Sequence, residues 1–484
     1  MTIKDLEPKE LWENFHLMTQ QPRPSKHEEK VRAMLKKFAA DHHIACEEDE
    51  VGNIIMRKPA TPGMENRRGV ILQCHMDMVP QKAPTSSHDF ENDPIETRII
   101  DGWVWANDTT LGADDGMGDA AIMAIMASNT VQHGPLEALF TVDEETGMTG
   151  AFAIKPGLFK GDLLLNLDSE TEGELYVGCA GGVDATLTLP YRSEKTPQGY
   201  VAYKLTIEGL KGGHSGMEIN TGRGNANKIL FRHLRWAADC DIRLCSVDGG
   251  TLRNAIPREA CAVVAMPQGQ AERALKAWDQ VFGWMKAEIG SADPDFGMRH
   301  EKVDLPAEVI GKEDTQKIIS LMMCAPNGVV KMSNDVPGLV ETSLNLARVS
   351  TNGSQFELMA LLRSSVDSAK DALGQRLVCL AELAGGSCSL TGAYPGWKPN
   401  PKSPLVDLMK KTYHKLYGKE MTVMAIHAGL ECGLLGGVYP NWDMVSFGPT
   451  ILSPHSPQER VNIESCKKFY ELLVAVLKDV PVAQ

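Results

Sequence analysis

The sequence contains no C-x-x-C pair, and its eleven cysteines are odd in number and scattered across 484 residues. That usage suits reduced thiols in a cytosol better than a disulfide framework. No cluster of lysine or arginine relieves an acidic balance of 63 Asp and Glu against 49 Lys and Arg, a formal net charge of −14. The charge argues against nucleic-acid and anionic-membrane partners. Long apolar runs are missing as well. Stretches such as residues 120–127 fall far short of the roughly 20 residues needed to cross a bilayer. Residues 1–15 are charged and carry no signal-type apolar core, so a cytoplasmic location is expected. The turn Gly112-Ala-Asp-Asp-Gly116-Met-Gly118 lacks both a lysine and a full nucleotide fingerprint. Its two aspartates would repel an anion, which weakens a phosphate-cradle reading.

What remains is a globular composition, 43% hydrophobic and 23% charged, in a chain long enough for two or three domains. Residues 8–18 and 25–41 read as helices, the second opening on a capping box of Ser25 and Glu28. Residues 54–57, 69–74, 136–142 and 162–167 read as buried strands, and the glycine turn leads into an apolar helix over 119–128. From about residue 183 the character changes. Strand, helix, strand, strand and helix follow at 200–208, 222–238, 242–247, 259–266 and 270–289, with Trp278 and Trp284 expected inward. A similar order recurs at 297–303, 314–324, 339–349, 355–362 and 367–384. The expected architecture is therefore α/β: a mixed sheet flanked by helices, with an inserted α+β domain made of two β-α-β-β-α halves. The boundaries are drawn at 1–182 and 397–484 for the first domain and 183–396 for the insertion.

Three apolar strands finish in residues able to bind metal: His75 and Asp77, the run Asp143-Glu144-Glu145, and Asp168. In open α/β sheets, ligands collect in the crevice beyond the carboxyl ends of strands. Adjacent residues leaving a strand point in different directions, so Glu144 and Glu145 can do different work. An acidic triplet taken alone is ordinary solvated loop, and a lone strand-end histidine is ordinary structure. The coincidence of strand ends is what argues for a metal. Zinc takes imidazole nitrogen and carboxylate oxygen, and two ions sharing one carboxylate can clamp a hydroxide between them.

Several motifs carry a family resemblance. They are His75-x-Asp77-x-Val79, Gly112-Ala-Asp114-Asp115-Gly116, Asp143-Glu144-Glu145-x-Gly147, Asp168, Gly213-His214 and His455-Ser-x-x-Glu459. In order and spacing the chain resembles the aminoacylase/carboxypeptidase family of co-catalytic zinc exopeptidases over nearly its whole length. The stretches Thr109-Thr-Leu-Gly-Ala-Asp114, Gly212-Gly-His-Ser-Gly-Met217 and Ala425-Ile-His-Ala-Gly-Leu-Glu431 are similar to its dipeptidase branch, whose substrates include Xaa-His dipeptides. That branch often has Asn after the bridging Asp, where this chain has Asp115, a further carboxylate near the site.

The resemblance implies two Zn2+ per subunit, with Co2+ or Mn2+ as substitutes. Asp114 would bridge them, His75 and Asp168 completing one site and Glu145 and His455 the other. The peptide after the bridging Asp is cis in the family. Asp77 would orient His75, and Glu144 would act as general base towards the bridged water. His214, from the insertion, would stabilise the oxyanion, within its own subunit or across a dimer. Asn254, in Arg253-Asn-Ala-Ile-Pro257, and Arg363, in Leu362-Arg-Ser-Ser365, match substrate-holding positions. His427 and Glu431, four apart around a helix start, could face one pocket where Glu431 receives the substrate's ammonium group. Dipeptides, β-alanyl-histidine among them, are the expected substrates, and a homodimer through the insertion is the expected assembly. A deacylase of N-acyl amino acids on the same scaffold is the alternative, with a non-catalytic metal-binding protein behind it.

Overall fold

A computed structural model describes residues 2–400 and 402–483. The chain forms two compact units. Unit 1 comprises Met1–Gly178, Pro399–Ala425 and Leu430–Gln484; unit 2 comprises Cys179–Lys398 and Ile426–Gly429.

Unit 1 is built on an eight-stranded mixed sheet. Its order is Ala45–Glu48, Ile54–Lys58, Leu136–Thr141, Val70–His75, Leu163–Asn166, Asp443–Ser446, Glu174–Cys179 and Thr422–Ile426. The strands Leu136–Thr141, Val70–His75 and Leu163–Asn166 are adjacent, parallel and buried throughout. Near-continuous apolar runs are what a strand covered on both faces requires. Because the three run the same way, with His75 opposite Thr141 and Gln73 opposite Asn166, their carboxyl ends open on one edge. A smaller sheet orders Ile451–Leu452, Arg460–Asn462, Trp103–Ala106 and Thr97–Ile100, and its hairpin carries His455 and Glu459.

The apolar helix spans Ala113–Ala127, longer at its start than the pattern suggested, with non-helical backbone at Asp114 and Asp115. Another helix begins later than expected, at Glu29. The Ser25–Glu28 capping box does not form: Ser25 Oγ donates to Asp77 instead, and Glu28 accepts the N–H of Lys26 and of Asp143. Tertiary partners outcompete the local cap.

In unit 2 a nine-stranded sheet runs Gly297–Val303, Tyr200–Glu208, Ala260–Pro267, Arg243–Gly249, Val340–Asn352, Gln355–Ser364, Gly181–Pro190 and Ser387–Tyr394, with Gly328–Met332 paired to Val340–Asn352. The expected second half needs correction. Gly297–Val303 pairs with Tyr200–Glu208 and closes the first half, whereas the strand that matches Tyr200–Glu208 in the second half is Gly181–Pro190. It lies before the first half in sequence, which is why reading the chain linearly assigned the wrong strand. Trp278 is buried in the helix Ala271–Ile289, but Trp284 is 36% exposed and packs edge-on against Trp236 at 5.5 Å.

Candidate active site

The strand ends of unit 1 gather an acidic centre around Asp114. His75 Nε2 lies 3.1 Å from Asp114 Oδ1 and 3.3 Å from Asp168 Oδ1. His455 Nε2 lies 3.1 Å from Asp114 Oδ2 and 3.0 Å from Glu145 Oε2. Each oxygen of Asp114 therefore meets a different histidine, and each histidine Nε2 meets one further carboxylate. The Asp114–Asp115 peptide is cis, as the resemblance implied. Gly112, at φ 69°, takes a left-handed conformation that favours glycine, and a Cβ there would meet Arg23 Nη2 at 2.6 Å and Met78 Sδ at 2.8 Å.

The far side of His75 is held too. Its Nδ1 faces the Asp77 carboxylate at 3.4 Å and the Asp77 carbonyl at 3.2 Å, leaving Nε2 turned to Asp114 and Asp168. Asp77 also accepts Ser25 Oγ at 2.7 Å and the N–H groups of Glu144 and Glu145 at 3.0 and 3.2 Å. One buried carboxylate thus fixes the ring of His75 and the start of the short helix Glu144–Gly147. Asp143 turns elsewhere: its N–H donates to Glu28 and its oxygens accept the hydroxyls of Thr146 and Thr149. The first acid of the triplet shapes the turn, and the other two face the centre. Asp115 accepts the His75 N–H at 3.3 Å and the Gly118 N–H at 3.1 Å, so it anchors the strand end to the helix start.

These residues fit divalent cations. Zinc bonds of about 2.0–2.2 Å in a tetrahedron set neighbouring ligand atoms about 3.3 Å apart, and the four separations around Asp114 are of that size. Ligand atoms of His75, Asp114 and Glu145 lie within 4.8 Å of one another, as do those of His75, Asp115 and Asp168. Among the described residues no lysine or arginine forms an ion pair with Asp114, Glu145 or Asp168, and Glu145 Oε1 is buried without a hydrogen-bond partner. The electrostatics agree. Hydrogen bonds to Asp114 and Glu145 push the His455 pKa up to about 11. Burial opposes a charge on His75, yet Asp168 and Asp114 carry its pKa well above the usual range. Burial lifts Asp168 to about 7, and burial with the nearby Asp168, Glu431 and Glu145 lifts Glu144 well above an ordinary glutamate. The surroundings attract positive charge and leave Glu144 ready to hold a proton.

Glu431 is fully enclosed at the start of helix Glu431–Val438, accepting Gln73 Nε2 at 2.6 Å and Thr141 Oγ1 at 2.7 Å. Asn166 extends the chain by donating to Gln73 Oε1 at 2.6 Å. Of the two residues expected around a helix start, only Glu431 is helical, as the first residue of its helix. His427 precedes it in unit 2, donating to or accepting from Ser343 Oγ at 2.7 Å.

Unit 2 assembles a second cluster. Gly213–His214 pairs with Ala255–Ile256, and the Asn254 carbonyl accepts the Ser215 N–H at 2.8 Å, which sets His214 beside the Asn254 loop. Asn345 braces that loop by donating to the carbonyls of Arg253 and Ala255. His214 Nδ1 accepts N–H groups from Gly216 and Met217 at 3.2 and 3.1 Å, so the neutral ring carries its proton on Nε2. Gly216 must lack a side chain, because a Cβ would meet the His427 carbonyl at 2.1 Å. Arg363, almost wholly buried, donates to Tyr394 Oη at 3.1 Å and reaches Ser215 Oγ at 3.5 Å. Burial and the Arg363 charge lower the pKa of His214 and take His427 down to about 3.

The family model for Peptidase family M20/M25/M40 matches residues 71–479, which takes in His75, Asp114, Glu144, Glu145, Asp168 and His455 and the whole of the second cluster. The chain belongs to that family. Within it, the chain is 45% identical over 482 residues to the cytosol non-specific dipeptidase of Escherichia coli K12, covering 99% of each chain. The crystal structure of aminoacylhistidine dipeptidase from Vibrio alginolyticus superposes with a TM-score of 0.96 at 45% identity, over 100% of this chain and 99% of that one. A tripeptidase from Staphylococcus aureus gives a TM-score of 0.55 at 16% identity over 98% and 99% of the two chains, a likeness of fold.

In this M20-family chain, sequence reasoning passed over several buried residues. Gln73, Asn166 and Thr141 form the polar floor; their signal was a glutamine interrupting Val-Ile-Leu-Gln-Cys-His with polar residues on the strands either side. Arg23 is another, and Glu459 was read only as the end of its motif with no role assigned; both touch the Asp114 turn. No helix among the described residues is long and apolar enough to cross a membrane.

Proposed function

We infer that this M20-family chain is a metal-dependent dipeptidase whose substrates include Xaa-His dipeptides and β-alanyl-histidine. The observation that carries the reading is the division of Asp114: its two oxygens serve two separate His–carboxylate pairs. The substrate class rests on the printed activities of the two full-length relatives at 45% identity.

His75, Asp114 and Asp168 would hold one ion, and Asp114, Glu145 and His455 the other; zinc suits this donor set, with cobalt or manganese as substitutes. Bound there, the cations supply Lewis acidity, lowering the pKa of water towards about 7 and polarising the scissile carbonyl. Glu144 takes the proton of the attacking water and returns it to the leaving amine, a task its raised pKa suits. Asp77 keeps His75 and Glu144 in register. His214 offers Nε2–H to the developing oxyanion, and its low pKa keeps the ring neutral. The fork of Arg363 matches a terminal carboxylate, with Asn254 as a further polar contact and His427 as a wall fixed by Ser343. Glu431 has no exposed atom, so its role becomes that of a support beneath the centre, acting through Gln73 and Thr141.

The odd number of scattered cysteines and the cytosolic relative support a cytoplasmic location. A homodimer through unit 2 completes the reading, supported by the exposed Val329, Val330 and Met332 on strand Gly328–Met332. The testing experiment assays Glu144→Gln and the parent chain on a panel of dipeptides, β-alanyl-histidine, and N-acetyl and N-succinyl amino acids. The expected result is dipeptide turnover by the parent, lost by about 10²–10⁴-fold in Glu144→Gln with metal content retained. Full activity in the variant sinks the mechanism, and turnover confined to acyl amino acids makes the chain a deacylase.

A further inference from the structure

Glu459 lies four residues beyond His455 on the hairpin formed by Ile451–Leu452 and Arg460–Asn462, and it is 1% exposed. Its carboxylate accepts four consecutive backbone N–H groups. Oε2 takes those of Leu111 at 2.7 Å and Gly112 at 3.0 Å; Oε1 takes those of Ala113 at 2.7 Å and Asp114 at 3.3 Å. No lysine or arginine pairs with it among the described residues. The first N–H groups of a helix need acceptors, and the residue at the cap position, Gly112, has no side chain to provide one. A carboxylate distant in sequence fills the role.

Arg23 works on the same turn from its carbonyl side. It donates through Nη2 to Gly112 O and through Nη1 to Met76 O and Asp77 O, both at 3.0 Å. The two histidines of the acidic centre are thus tied to the Asp114 turn by separate buried charges. Arg23 joins it to the His75 strand end, and Glu459 joins it to the His455 hairpin.

We propose that Glu459 is a positioning residue that sets His455 against Asp114 Oδ2 and so governs the cation position shared by Asp114, Glu145 and His455, leaving the position of His75 and Asp168 to Arg23. The assignment rests on the reading of the centre as a site for two divalent cations. Glu459→Gln keeps the size of the side chain but replaces one acceptor with an NH2 group facing N–H donors. Outer-shell partners of metal ligands are commonly worth about 10–100-fold in metal affinity, so the loss should fall on one ion of the two.

The test strips the full-length chain by chelation and titrates Co2+ back, following the visible d–d bands and the bound stoichiometry. The parent is expected to take two ions. Glu459→Gln should weaken one by about 10–100-fold while the other keeps its affinity within about twofold, and Glu459→Asp should fall between. In dipeptide assays at limiting Co2+ the variant should lose kcat with KM changed less than about twofold. Ser403→Ala, which removes a helix cap elsewhere in unit 1, controls for lost stability. Unchanged affinities in a folded Glu459→Gln chain, equal weakening of both ions, or the same loss in Ser403→Ala at matched Tm each overturn the assignment while leaving the two-cation reading intact. A parent that binds fewer than two ions overturns that reading, and the assignment with it.

Discussion

Four histidines mark the two polar clusters, and their surroundings drive them in opposite directions. In unit 1, His75 and His455 sit among carboxylates that push their pKa values up, His455 to about 11. In unit 2, burial and Arg363 hold His214 and His427 below the ordinary value, His427 at about 3. One residue type thus stands where its surroundings favour positive charge in one cluster and is held neutral in the other. The contrast separates the chemistry. On the proposed function the first cluster would hold dications and move protons; the second, with one buried guanidinium and a fixed Nε2–H, would meet negative charge on a substrate.

The largest effect expected from this division is the split between two alanine variants. His75→Ala should lose metal and turnover together, since a ligand is gone. His214→Ala should keep full metal content and lose about 10²–10³-fold in kcat, the usual worth of an oxyanion donor. Metal analysis beside steady-state kinetics reads both, and metal loss in His214→Ala would erase the contrast. Arg363→Lys comes next: a point charge in place of a planar fork should raise KM for dipeptides about tenfold, or about 1.4 kcal/mol, with metal content unchanged. An unaltered KM would remove Arg363 from substrate recognition.

The smallest effect sharpens the electrostatic half of the comparison. His427 titrates near 6.5 when unfolded and at about 3 when folded, so between those values the unfolded chain holds the extra proton. Its contribution to stability is complete above pH 6.5 and lost as pH falls towards 3, by at most about 1.4 kcal/mol per pH unit. Thermal unfolding of His427→Gln and the parent between pH 8 and 4.5 should therefore show the Tm gap narrowing as the pH drops. A gap that widens reverses the sign and the account of unit 2.

Much of unit 1 was legible because its signals are local. A run such as Val-Ile-Leu-Gln-Cys-His reads as a covered strand, and three such runs ending in His75, the acid triplet and Asp168 put their last residues on one edge. What escaped was set by contacts distant in sequence. Ser25 looked like a cap but serves Asp77, and Glu459 looked like a motif's tail but caps a turn at residues 111–114. The second half of unit 2 was misassigned because its first strand, Gly181–Pro190, is separated from the rest by the whole first half. Asp143, unexplained by spacing, became clear once Glu28, Thr146 and Thr149 were seen around it.

The central claim is that the acidic centre of unit 1 runs dipeptide hydrolysis with two bound dications. Its most direct test follows dipeptide turnover while Zn2+ is titrated into the chelator-stripped chain. The account predicts no turnover in the stripped chain and recovery that saturates at two ions per chain. Full turnover without metal, or two ions bound with no recovery on any dipeptide, would contradict it.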